Sequence, residues 1–172
     1  MINPRGMKIA KLIVLLAGIT GVVAFFVPMA TLIHDGKNYP VSPYQLFVGV
    51  HELEKGLDNA PSAMMSDKDK QDAYEALTDV KGIVIAFYAP GALLLLVGLI
   101  GAIRRKFGRF AGLVSIVLGA ASFLVFAGMQ SLDLDAAHGI TRGPSPYLLA
   151  ATGLLAVAGG LFSLVSPDRG GG

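Results

Sequence analysis

The stretch LIVLLAGITGVVAFFVPMATLI, residues 12–33, contains no charged residue and no histidine. A helix of about 20 residues crosses the hydrocarbon core of a bilayer, which is about 30 Å thick. Three further windows have the same character and also lack charged residues and histidine: residues 82–103, 110–129 and 147–165. With 53% hydrophobic and 15% charged residues, the chain is too apolar for an ordinary soluble domain. The sequence predicts an all-α membrane protein built on a bundle of four transmembrane helices.

The very short loop between the second and third windows carries a dense basic cluster, Arg104, Arg105, Lys106 and Arg109. Short loops rich in Lys and Arg stay on the cytoplasmic side of a membrane. We therefore expect a multi-pass protein of the inner or plasma membrane with both termini in the cytoplasm. The cluster anchors the helix ends at anionic lipid headgroups, so its expected partner is the lipid bilayer and not a nucleic acid.

On this orientation, two loops face outward, residues 34–81 and residues 131–146. The apolar runs on either side of Asp35-Gly36 are rich in Thr, Ile, Tyr and Val. Asp-Gly between such runs is typical of a tight β-hairpin, because glycine adopts the positive φ that the turn requires. We expect a short hairpin on the membrane surface, and we expect the second outer loop to fold against the first.

Two helices are predicted to follow the hairpin. Ser42 before Pro43 favours a helix start, because the hydroxyl accepts a bond from a free amide and proline is preset for the first turn. Apolar residues then recur at helical spacing over residues 44–57. Ser66 begins a second helix, which nothing interrupts before the second window. The predicted extracytoplasmic cap, residues 34–81, is therefore a β-hairpin plus a helical hairpin.

Small residues recur four apart inside the windows, a spacing that lets helix backbones approach closely in lipid. The pairs are Ala17 with Gly21, Gly98 with Ala102, Ser115 with Gly119, and Ala156 with Gly160. Their main predicted role is packing within one bundle. A surplus of small residues also favours a homo-oligomer or contact with other membrane subunits: Gly112, Ala120, Ala121, Gly128, Gly153 and Gly159.

An alternative hypothesis makes the outer face a metal-binding or enzymatic site. Imidazole and carboxylate ligands suit zinc, copper or iron, and the candidates are His51, Glu52, Asp133 and His138. Their spacing matches no standard motif, since HELEK lacks the second histidine that HExxH places four residues on. We therefore expect no catalytic residue and no cofactor. A second alternative is an oligomeric pore or a lipid-binding module.

The expected layout resembles that of claudins and tetraspans. It has four spans, cytoplasmic termini, a long first outer loop that begins with strand-like residues, and a short second outer loop. The resemblance covers the whole chain as topology. The claudin signature of tryptophan and paired cysteines is absent, since the chain has neither residue. The segment GKNYPVSPYQLFVG is also similar to segments of small prokaryotic four-span proteins, in which a glycine turn is followed by Ser-x-x-x-Leu-x-x-Gly. In this chain the pattern falls on Ser42, Leu46 and Gly49.

These observations predict a non-catalytic integral membrane scaffold or assembly subunit. It would self-associate or join a larger membrane complex, and its outer cap would be the recognition surface. The aromatic residues of the cap, Tyr39, Tyr44 and Phe47, are the expected contacts. Aromatic side chains also suit the membrane interface, where their amphipathic rings lie at headgroup level.

Overall fold

A computed structural model describes residues 4–59, 66–103, 108–131 and 139–165. Four of its helices are long and apolar enough to cross a membrane, and these are α1, α3, α4 and α5. A shorter helix and a small sheet lie at one end. The elements are α1 (Pro4–Phe26), β1 (Ala30–His34), β2 (Lys37–Val41), α2 (Pro43–Asp58), α3 (Asp67–Ile103), α4 (Arg109–Ser131), β3 (Ile140–Arg142) and α5 (Ser145–Val165).

The four long helices form a bundle in which α5 packs on both α1 and α4, and α1 also packs on α3. One core cluster centres on Val14, Leu94 and Ala156, which are fully buried. A second cluster nearer the cap includes Tyr88 and Leu149. The fold class expected from the sequence, four apolar helices with a small cap, is therefore present.

Glycines set the distances between these helices. A Cβ added to Gly18 of α1 would lie 2.3 Å from the backbone nitrogen of Leu95 on α3. A Cβ on Gly119 of α4 would lie 2.8 Å from the carbonyl oxygen of Gly153 on α5. No side chain fits at such separations, so backbone meets backbone at these crossings, as small residues permit in transmembrane bundles.

Most of the predicted packing residues lie at these contacts. Ala17, Ser115 and Ala156 are fully buried, and the glycines of the four pairs meet neighbouring helices: Gly21, Gly98, Gly119 and Gly160. Ala102 differs, because it is exposed while Gly101 takes the buried position one residue earlier. Residues three or four positions apart share a face of a helix. On α3 the buried face therefore includes Gly98 and Gly101, which are three apart, and Ala102 lies beside it.

The first helix ends earlier than the apolar window. Helix α1 stops at Phe26, whereas the window extends to residue 33. Pro28 has no amide hydrogen to continue the helix and disfavours helical backbone at the residue before it. The last residues of the window instead form β1, which pairs with β2. Apolarity alone cannot separate these residues from the span, because both environments favour the same side chains.

The sheet has three strands, in the order β2-β1-β3. The tight turn between β1 and β2 has positive φ at both central residues, 50° at Asp35 and 71° at Gly36, as the sequence predicts. Strand β3 pairs antiparallel with β1, so that Leu32 lies opposite Ile140. The second outer loop thus does fold against the first over residues 139–142, but as a third strand that the sequence did not predict.

Both helices of the cap begin with hydrogen-bonded caps. Ser42 Oγ accepts from the Gln45 amide at 3.1 Å, and the Gln45 side chain accepts from the Ser42 amide at 2.8 Å. Ser66 Oγ accepts from the Asp69 amide at 3.1 Å and donates to its carboxylate at 2.7 Å. Helix α3 then runs unbroken from the cap into the bundle. The two helices predicted for the cap are therefore present, as α2 and the first part of α3.

Candidate functional site on the outer cap

The cap is attached to the bundle through Ser145, the first residue of α5. Its Oγ donates to the carbonyl oxygen of Ala24 at 2.7 Å, and its amide donates to the Pro28 carbonyl at 3.1 Å. The Ala24 carbonyl would normally accept from the amide four residues on, which is Pro28 and has no hydrogen. The serine hydroxyl therefore satisfies the one carbonyl that the proline leaves free.

Tyr88 of α3 completes this junction. Its hydroxyl lies 2.8 Å from Ser145 Oγ. Because the single Ser145 hydroxyl hydrogen points to Ala24, Tyr88 is the donor in this second bond. Ser145 and Ala24 are fully buried and Tyr88 nearly so. One serine thus joins α1, α3 and α5 beneath the sheet, and it satisfies polar groups that would otherwise be costly to bury.

Beside this junction, where β3 leads into α5, the backbone at Gly143 comes very close to the backbone that follows α1. The Gly143 amide donates to the carbonyl of Met29 at 2.8 Å. A Cβ at Gly143 would lie 2.2 Å from the carbonyl oxygen of Pro28. Only glycine fits here, so the sheet is seated directly on the end of α1.

On the other side of the cap, α2 is joined to α3 by charge. The Lys81 ammonium forms an ion pair with the Glu54 carboxylate, and each side chain is only 20% exposed. His51 Nδ1 lies 3.5 Å from the same carboxylate. The hydrogen bond from Lys81 is the main reason that the pKa of Glu54 lies below its ordinary value of 4.5. The Lys81 ammonium also lies 5.8 Å from the centre of the Phe47 ring.

A second polar contact joins the same two helices near the end of α2 and the first turns of α3. The hydroxyl of Tyr74 on α3 donates to the Asp58 carboxylate on α2. This hydrogen bond, followed by burial, raises the pKa of the Tyr74 hydroxyl above its ordinary value. Together with Glu54 and Lys81, the contact holds α2 along the outer part of α3.

The three aromatic residues expected to contact a partner have different environments. Phe47 is half-buried and packs against the core cluster beneath the cap. Tyr44 is 46% exposed, but its ring packs on Phe25 and Phe26 at centroid separations of 6.1 and 5.3 Å. Tyr39 is 49% exposed on β2. Two of the three therefore stabilise the cap itself, and Tyr39 has the most available ring.

The sheet presents an apolar row that the sequence did not single out. The strand register places Tyr39 opposite Leu32, and Leu32 opposite Ile140. Directly opposed residues share one face of a sheet. Leu32 is 42% exposed and Tyr39 49%, whereas Ile140 is half-buried. The opposite face carries Pro40, Thr31 and Thr141 in the adjacent row, and beside them the exposed Ile33. The apolar row could not be found from the sequence, because it depends on β3.

The candidate metal ligands are not assembled within the described part of the chain. His51 faces Glu54, whereas Glu52 faces Lys55 of its own helix at 3.5 Å. Among the described residues, no three His, Asp or Glu side chains lie close enough to hold an ion. Asp133 and His138 lie outside the described residues. The hypothesis of a metal site is therefore not supported by the side chains on α2.

Of the basic cluster, Arg109 is the exposed first residue of α4. The other three basic residues lie outside the described residues: Arg104, Arg105 and Lys106. Several of the surplus small residues are used inside the bundle, since Gly112, Gly153 and Gly159 meet neighbouring helices. Gly128 differs, with open space where its Cβ would be. These glycines therefore give little independent support for a second protomer.

The fold and the site define a class: a bundle of four helices that are long and apolar enough to cross a membrane, with a small cap of one shorter helix, the extension of α3 and a three-stranded sheet at one end. Comparison with protein-family models, with curated proteins and with solved structures gives no match. The likeness to claudins therefore rests on topology alone, and the function has to be argued from the geometry of the cap.

Proposed function

We propose that this chain is a non-catalytic integral membrane subunit whose cap recognises a second copy of itself or another membrane subunit. The main supporting observation is the apolar row on the sheet, in which Tyr39 and Leu32 are exposed and Ile140 is half-buried. Exposed apolar surface of this kind is characteristic of interaction sites when it is contiguous and lies on an ordered scaffold. The junction at Ser145 and the continuous α3 supply that scaffold, because they couple the sheet and α2 to the bundle.

The membrane placement is supported by the outward-facing side chains of the long helices. Leu113, Val117 and Leu124 of α4 are between 54% and 70% exposed. A helix that is apolar on every side belongs in a large core or in a bilayer. The basic loop between α3 and α4 then favours cytoplasmic termini and an outward-facing cap.

The assembly proposal is tested by breaking the row without breaking the strands. The double variant Leu32→Thr with Tyr39→Thr keeps β-branched side chains, which strands favour, and removes the apolar surface. The control is Asn38→Thr, which changes the opposite face of the same hairpin. Native mass spectrometry from a gentle detergent reports the assembly. We expect a defined oligomer or a copurifying subunit for the wild type and Asn38→Thr, and a lone monomer for the double variant.

Two results would contradict this proposal. One is a wild type that is strictly monomeric and copurifies with no subunit. The other is a double variant that retains the assembly. Circular dichroism and the melting temperature of each variant show whether the fold is intact, so that loss of assembly is not confused with unfolding.

Orientation is tested separately with single cysteines, since the natural chain has none. Asn38→Cys in the hairpin should react with a membrane-impermeant maleimide in intact cells. Gly108→Cys, before α4, should react only after the membrane is opened. The reverse pattern would place the cap in the cytoplasm and overturn the proposed topology.

A further inference from the structure

A groove of about 380 Å³ opens between the cap-facing end of α1 and the middle of α3. Gly21, Phe25 and Phe26 line it from α1, and Ile85, Ala89 and Ala92 line it from α3. All of these residues belong to helices that are long and apolar enough to cross a membrane. The groove is thus a feature of the bundle, and it is separate from the apolar row on the sheet.

The groove follows from the way these helices separate. They touch where a Cβ on Gly21 would lie 2.6 Å from the Cα of Gly91. One turn further toward the cap, large rings replace glycine on α1, and Phe25 packs edge-on against Tyr88 with ring centroids 5.6 Å apart. Opposite them, Ala89 and Ala92 have side chains too short to fill the space. Two contacting glycines form the narrow end, and aromatic rings form one wall.

The lining offers a ligand almost nothing but carbon. The only side-chain hydroxyl among the described residues that border it belongs to Tyr88, and this hydroxyl already donates to Ser145. Water inside an apolar groove of this kind finds few hydrogen-bond partners. A ligand with a polar or charged group inside the groove would lose its own hydrogen bonds. The chemistry therefore selects a hydrocarbon chain.

We propose that this groove holds one acyl chain of a phospholipid from the outer leaflet. The inference rests on the proposed membrane placement and orientation, which put the groove at outer-leaflet depth. There, lipid chains are the surrounding medium, and a groove that no helix fills is occupied by one of them. The shape of the groove distinguishes this acyl chain from ordinary annular lipid, because a chain in the groove contacts two helices and the aromatic wall at once.

Occupancy also has a consequence for the cap. The Tyr44 ring, in the first turn of α2, packs on Phe25 and Phe26, the two rings that line the groove. A bound chain supports these rings from below and so stabilises the start of α2. Lipid binding and the order of the cap are thereby coupled through three aromatic side chains.

The test is photolabelling in vesicles with a phosphatidylcholine that carries a diazirine near the middle of one acyl chain. We expect label on residues 21–26 and 85–92, and we expect unlabelled lipid to displace it. Ala89→Phe and, independently, Ala92→Phe fill the groove and should reduce this label about tenfold, the change that about 1.4 kcal/mol of binding free energy produces. Ala127→Phe, an exposed alanine on α4, is the matched control and should leave it unchanged.

A second readout follows the cap. Hydrogen exchange of the first turns of α2 should be slower in lipid-loaded wild type than after exhaustive delipidation. In Ala92→Phe, the introduced ring replaces the chain, so the difference between the two conditions should disappear. Ala127→Phe should keep the full difference.

The outcomes separate the groove from the placement on which it depends. If label is spread evenly over all four helices and unlabelled lipid does not displace it, the proposal of a lipid groove is wrong and the membrane placement still holds. Label on none of them would overturn both. A dominant disulfide-linked dimer of Val22→Cys, whose thiol would be the only one in the chain, would show that a second copy fills the groove. That result would also overturn the lipid proposal.

Discussion

The bundle and the cap are stabilised by different kinds of contact. In the bundle, the buried hydroxyls of Ser115 and Ser122 bond to carbonyls four residues earlier in their own helix, and the helices meet through glycine backbones. In the cap, paired side-chain caps and an ion pair define the geometry. In the proposed membrane placement, burying leucine brings little stability, because lipid is as apolar as leucine, and close approach of the helices must supply the attraction. Water makes directed polar contacts the natural means of orienting a small cap.

The largest effect is expected at a crossing of the bundle. Gly119→Leu forces a side chain against the Gly153 carbonyl and the Ala156 Cβ, both 2.8 Å from the added Cβ. Overpacking costs about 1–3 kcal/mol and occasionally more, and we expect the upper end of this range because the obstacle here includes backbone. The free energy of unfolding in mixed micelles, titrated with a denaturing detergent, measures it.

Gly128→Leu on the same helix is the matched control, since its Cβ meets nothing within 4 Å. Its stability should be unchanged or raised by up to about 1 kcal/mol, because glycine is the weaker helix former. Equal losses for the two variants would mean that glycine contacts do not hold the bundle together.

The next largest effect should fall where bundle and cap meet. Ser145→Ala leaves the Ala24 carbonyl and the Tyr88 hydroxyl without their partner in a buried site, at a cost of about 1–3 kcal/mol. Ser131→Ala removes an exposed hydroxyl that, within the described part of the chain, bonds to Gly128 of its own helix, and its effect should stay within about 0.5 kcal/mol. Matching losses for the two serines would refute the role of the junction.

A smaller effect is expected for the aromatic contact that joins α2 to α1. Tyr44→Leu removes ring packing on Phe25 and Phe26, which is worth about 0.5–1.5 kcal/mol beyond the area buried. Tyr39→Leu should change the free energy of unfolding by less than about 0.5 kcal/mol, because its ring is exposed on the sheet. A larger loss for Tyr39 would show that this residue stabilises the cap and is not spare surface.

The smallest effect is local and depends on pH. The pKa of Glu54 is lowered in the folded protein, so its ion pair with Lys81 contributes fully above about pH 4.5 and is lost as the pH falls toward the folded pKa. Hydrogen exchange of α2, corrected for intrinsic rates, should therefore lose protection on acidification in the wild type.

Glu54→Gln should remove that pH dependence, since a neutral amide does not titrate. Glu52→Gln is the control, because Glu52 pairs with Lys55 inside α2 and does not bridge to α3. Acid sensitivity that persists in Glu54→Gln would assign it to another group.

The features predicted from the sequence are those that depend on neighbours along the chain. The Asp35-Gly36 turn and the helix starts at Ser42 and Ser66 rest on residues no more than three positions apart, and all three are present. The end of α1 was misplaced, since apolar residues continue from helix into strand and only Pro28 marks the change.

The features that could not be predicted depend on distant residues. The ion pair of Glu54 with Lys81 requires two helices to lie side by side, and spacing along the chain does not show which charges will meet. The expected roles of Tyr44 and Phe47 changed for the same reason, because their neighbours on other helices make them part of the packing. Tyr39 kept an exposed ring.

The sequence by itself determined the number of long apolar helices, the turn and the helix caps, because hydropathy and local hydrogen bonding are properties of contiguous residues. Only the tertiary structure decided that β3 completes the sheet and that Ser145 satisfies the carbonyl left free by Pro28. It also decided which small residues meet across helices. The physical reason is the same in each case: these contacts join residues far apart in the chain, and their partners are chosen by packing.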